Sequence, residues 1–78
     1  MLLLSQETQQ NGAYTYTLTT EKEGYTHYFT ITATDGTHTA TLPHFATIDA
    51  IATDFFHLIA TYCVDPLHLA DVWEDYTT

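Results

Sequence analysis

The segment Tyr25-Thr26-His27-Tyr28-Phe29-Thr30-Ile31-Thr32-Ala33-Thr34-Asp35-Gly36-Thr37-His38-Thr39-Ala40-Thr41-Leu42-Pro43 decides the fold of this chain. Its first half alternates: Tyr25, His27, Phe29, Ile31 and Ala33 fall on one side, and Thr26, Tyr28, Thr30, Thr32 and Thr34 on the other. A period of two marks a β-strand with one face buried and one face wet. Asp35-Gly36 reads as a two-residue hairpin turn, since both residue types tolerate positive φ. Thr37 to Leu42 then returns antiparallel, and Pro43, which has no backbone N–H, is expected to end it. That register sets Ala33 against His38, Phe29 against Leu42 and, one pleat further, His27 against His44. Upstream, Ala13 to Thr20 alternates in the same way, with Tyr14, Tyr16 and Leu18 against Thr15, Thr17 and Thr19. Glu21-Lys22-Glu23-Gly24 supplies its turn. Residues 1–12 are polar beyond Leu4, end on the turn signal Asn11-Gly12, and are expected to be flexible or to add a short extra strand.

After Thr47 the period becomes helical. Ile48, Ile51, Ala52, Phe55, Leu58, Ile59 and Tyr62 follow i, i+3, i+4, i+7 spacing, which predicts a helix over 47–63 with these residues inward. Asp65-Pro66 predicts an N-cap and first helical position, opening a second helix over 65–76 with Leu67, Ala70, Val72, Trp73 and Tyr76 inward. The expected fold is α+β in a single domain spanning 1–78: a three-stranded antiparallel meander over 13–42, then two helices on one of its faces (β-β-β-α-α).

Composition bounds the function. The 78 residues hold ten carboxylates and one Lys/Arg side chain, Lys22, for a formal net charge of −9. A chain so charged repels phosphate, so direct nucleic-acid binding is not expected. It can offer carboxylates to a basic surface instead. The lone cysteine, Cys63, precludes an internal disulfide and fits a reducing bacterial cytoplasm. No run is long enough for a membrane span. Ser5 is the only serine and there are three glycines, so neither a serine nucleophile elbow nor a glycine-rich phosphate loop exists, and no enzyme is expected.

Two resemblances add to this. Val64-Asp65-Pro66-Leu67-His68-Leu69-Ala70-Asp71-Val72-Trp73-Glu74-Asp75-Tyr76 resembles the C-terminal signature of a family of short bacterial domains of unknown function, roughly Pro-x-His-Leu-x-Asp-Val-x-Glu-Asp. That resemblance implies a hairpin-rich half followed by a helix, and no activity. In its size, acidity and lack of arginine the chain also resembles phage-encoded anti-CRISPR proteins. This second resemblance implies an inhibitor of a Cas effector nuclease.

Five histidines suggest metal binding, because neutral imidazole is a common zinc ligand. The expected register places His27 and His44 as a cross-strand pair at the rim of the helix-covered face, where Glu74 or Asp75 could complete a site. A second candidate set is His38, Cys63 and His68 at the opposite rim. Zinc is the ion either set would favour, though Cys63 also reads as a small buried core residue. Asp49, Asp54, Asp71, Glu74 and Asp75 form the candidate partner-binding strip, and Tyr28, on the threonine face, is a candidate contact. The expected function is an acidic, non-enzymatic inhibitor of a nucleic-acid-handling protein, most specifically a type II Cas effector. It is expected to be a monomer or weak dimer. The alternative is a regulatory or structural bacterial domain that self-associates, with or without stabilising zinc.

Overall fold

The computed structural model describes residues 2–78. Four strands, β1 (Leu2–Asn11), β2 (Tyr14–Glu23), β3 (Thr26–Thr34) and β4 (Thr39–Ala46), form one antiparallel sheet in the order β1-β2-β3-β4. Two helices follow: α1 (Asp49–Thr61), then a 3-10 turn (Pro66–His68) leading into α2 (Leu69–Thr77). The class is α+β, but the three-strand expectation is wrong, because the first twelve residues supply a full ten-residue edge strand.

β1 lacks alternation because it lies beyond most of the helix cover. Its helix-side residues do polar work instead. Gln9 Nε2 lies 3.1 Å from His57 Nδ1, and the Asn11 amide donates to the Ala60 carbonyl at 2.9 Å, satisfying one of the open carbonyls at the end of α1. Two-residue turns join β1 to β2 and β2 to β3. Each begins on a glycine with φ near +63°, Gly12 and Gly24, as a type II′ turn requires of its first central residue.

The β3–β4 connection departs from expectation. Thr34 pairs with Thr39, so Asp35–His38 is a four-residue loop and not a two-residue turn. The Asp35 carboxylate explains the extra length: its Oδ1 accepts the N–H of Thr37 at 2.8 Å and of His38 at 2.6 Å. Those bonds, the His38 amide first and Thr37 second, hold the Asp35 carboxyl below the usual carboxylate range. Nor does Pro43 end the strand. It lies on a sheet edge where no N–H is needed, and the pairing slips between Ile31↔Leu42 and Phe29↔Ala46. His44, in that slip, has φ +45°, a left-handed value uncommon outside glycine.

The core joins one face of the sheet to α1. Tyr16, Leu18, Phe29, Ile31 and Ala33 from the strands meet Ala52, Phe55, Phe56, Ile59 and Ala60, with Leu69 closing one end. The expected inward stripe of α1 is rotated by about 60° at 100° per residue. Phe56 and Ala60 are buried, whereas Ile48, Ile51 and Tyr62 are exposed. α2 sets Val72 and Trp73 against the core as expected, but the 3-10 turn before it changes its start: Pro66 and Leu69 are buried and Leu67 is exposed. Opposite the helices the sheet keeps the expected threonine face, with hydroxyl contacts between strands at Thr8–Thr17, Thr32–Thr41 and Thr34–Thr39.

Candidate functional site

The topology sends β2 into β3, β4 into α1, and α2 to its last turn at one end of the molecule. Among the described residues, seven of the nine exposed large apolar ones stand at this end: Leu2, Leu3, Leu4, Tyr25, Ile48, Ile51 and Tyr76. Only Tyr62 and Leu67 lie at the other, so the apolar surface is segregated and not scattered.

A cleft of about 260 Å3 opens at the same end. Its walls are Phe45 and Ala46 from the end of β4, Thr47 and Ile48 from the connection, Ile51 from α1, and Trp73 and Thr77 from α2. Aromatic packing fixes its floor. Trp73 meets Phe45 edge-on with ring centroids 4.9 Å apart and Phe55 at 4.8 Å, while Tyr76 stacks beside Trp73 at 5.8 Å. The cleft exists because of the rotation of α1, which turns Ile48 and Ile51 away from the core.

All five carboxylates of the expected strip are exposed. They do not lie in one line. Asp49 and Asp54 are separated by about 140° around α1. On α2, Glu74 follows Trp73 toward the β4 side, while Asp71 and Asp75 share the flank nearer α1. Glu74 and Asp75 sit in the last turn of α2, where the helix dipole disfavours negative charge, and no basic residue is there to offset it. Among the described residues, the only ion-pair contacts join histidines to carboxylates, His38 to Asp35 and His44 to Glu21; Lys22 pairs with none.

The register change separates the first histidine pair. His27 is opposite Lys22 and continues the row of Phe29 and Ile31 on the helix side. His44 is turned to the threonine face, where its ring lies 4.9 Å from that of Tyr28 and its Nε2 is 3.6 Å from Glu21. Tyr28, expected to be a free contact residue, is therefore half-buried under His44. Cys63 is exposed and not part of the core; it carries φ +52° just past α1. Among the described residues no three of His, Cys, Asp or Glu come together, so His38, Cys63 and His68 do not form a set either. Sequence reasoning missed Ile48 and Ile51 as surface residues. Their apolar character signalled core, and only the helix phase says otherwise.

No family model, no curated protein and no solved structure matches the chain. No helix among the described residues is long and apolar enough to cross a membrane.

Proposed function

We propose that the protein is a non-catalytic interaction module that binds a basic protein surface, acting as an inhibitor of a bacterial nucleic-acid-handling enzyme. A Cas effector nuclease of type II is the most specific form of the proposal. The observation that carries it is the exposure of Asp49, Asp54, Asp71, Glu74 and Asp75 in a chain of net charge −9 whose only Lys/Arg side chain, Lys22, pairs with none of them. Carboxylates left unneutralised in the free protein gain most from a partner that brings cations, and such attraction speeds encounter. The test is inhibition of a Cas effector nuclease and its salt dependence. Inhibition should weaken steeply between low and physiological salt, since the screening length shrinks from about 30 Å at 0.01 M to about 8 Å at 0.15 M. Inhibition that ignores both salt and the double substitution Glu74→Lys/Asp75→Lys would reject this function.

One observation favours a second reading, self-association. Both sheet edges carry a bulge, but β4 also has Pro43, whereas β1 has three exposed leucines, one charge in ten residues and no proline. An edge so little protected can pair with its own copy. Molar mass in solution tests it: a dimer that Leu3→Lys reduces to monomer would support pairing through β1.

A further inference from the structure

We infer that the cleft between the end of β4, the start of α1 and the end of α2 is a docking site for one apolar side chain of a protein partner, flanked in that partner by Lys or Arg. This rests on the function proposed above and specifies where the partner is held.

The volume is the first argument. Pockets that enclose small-molecule ligands usually hold about 300–1,000 Å3 and surround most of the ligand. This cleft, at about 260 Å3, is smaller and shallow, and suits a protruding side chain. Its lining is the second. Trp73 is held edge-on by Phe45 and Phe55, and Ile48 and Ile51 are 56% and 39% exposed, so the site combines a rigid aromatic floor with apolar walls that await burial. Interface hot spots have this form, an aromatic or aliphatic anchor in a preformed pocket ringed by polar groups.

Charge selects the occupant. On α2 the exposed Glu74 lies about 60° around the helix from the lining residue Thr77, so a carboxylate stands beside that wall, whereas Asp49 lies about 160° from Ile51 and adds only to the net charge. Lys22 is on β2, two strands away from the β4 wall. A second copy of this chain would bring another −9 to an already negative rim, and an acidic or neutral segment would gain nothing there. A segment with an apolar residue between cations gains at both the floor and the rim.

Trp73 is the only tryptophan, so its fluorescence reports the cleft directly. Two synthetic peptides serve as probes, one with a central leucine between arginines and one with serine in place of that leucine. At low salt the leucine peptide should shift the Trp73 emission and bind at least about tenfold tighter than the serine peptide, equivalent to ~1.4 kcal/mol. Ile51→Ser should weaken it by a similar factor, measured by calorimetry. Ile48→Ser, at the more exposed wall position, repeats the test should Ile51→Ser unfold. Glu74→Lys should weaken the leucine peptide strongly, and Glu7→Lys, on the far edge strand, should leave it nearly unchanged. If the two peptides bind alike, or Glu7→Lys weakens binding as much as Glu74→Lys, the cleft is not the site and a diffuse acidic attraction remains. If neither peptide binds at low salt, the attraction to a basic partner fails with it.

Discussion

At the scale of single residues, the backbone outside the regular elements is held by side chains with specific tasks. Asp65 was legible as an N-cap, and its carboxylate accepts the Leu67 N–H at 2.9 Å while the Tyr14 hydroxyl donates to its other oxygen at 3.4 Å. Asp65→Ala should destabilise the fold by about 1 kcal/mol in chemical denaturation, the usual cost of losing such a cap. Cys63 was misread for want of context. The bond from Val64 N–H to the Ile59 carbonyl, 3.0 Å, closes a Schellman end to α1, and Cys63 holds the left-handed position that glycine prefers. Cys63→Gly should therefore raise the melting temperature, by the equivalent of about 0.5–1 kcal/mol; a fall would show that this backbone position is not strained. Tyr16 donates its hydroxyl to the Val64 carbonyl at 2.8 Å, and burial pushes its pKa up to about 12. An unfolded tyrosine ionises near 10. The folded state thus keeps a proton that the unfolded state loses, and stability should decline as pH rises from 10 toward 12. A pH titration following tyrosinate absorbance and circular dichroism together checks this: Tyr16 should ionise late, as the fold is lost.

At the scale of elements, β2 and β3 were legible because burial of one face imposes strict alternation on both. The edge strand β1 was not, since it borrows its order from β2 and its apolar residues lie exposed. Both helices were placed by their periodicity and Asp65-Pro66, and Val72 and Trp73 face the core as expected, but the phase of α1 was not legible. Phe55 and Phe56 in succession, like Ile51 and Ala52, give α1 two adjacent apolar stripes, and contact with the sheet chooses between them. On α2, Asp71 and Asp75 are one turn apart and repel, and Asp75 also opposes the helix dipole. Asp75→Lys should stabilise the free protein by a few tenths of a kcal/mol in a thermal melt. On the function proposed here it should also weaken partner binding, so a gain in stability would accompany a loss of affinity.

At the scale of the whole molecule, repulsion among carboxylates dominates the electrostatics, since Lys22 makes no ion pair among the described residues. Added salt screens that repulsion. The free protein should therefore melt at a higher temperature in 0.5 M than in about 0.01 M sodium chloride, whereas a fold held by ion pairs would lose stability. A melting temperature that falls with salt would show that attractive pairs outweigh the repulsion. The same measurement in a complex with a basic partner should reverse sign, because there the charges attract.

The sequence by itself determined the class α+β, the sheet face that packs, the two helices and the charge that any partner must meet, because each follows from local periodicity or composition. Tertiary structure alone decided the fourth strand, the register of β4 and the phase of α1, which depend on contacts between distant segments. The longer loop at Asp35–His38 shifted β4 by two residues, which keeps each side chain on its face; the bulge between Leu42 and Ala46 is what sent His44 to the opposite face from His27. A rotation of α1 by less than a fifth of a turn exposed Ile48 and Ile51. The cleft beside Trp73 was invisible in the sequence for the same reason: it is made where the ends of three elements meet, and no single stretch of residues encodes it.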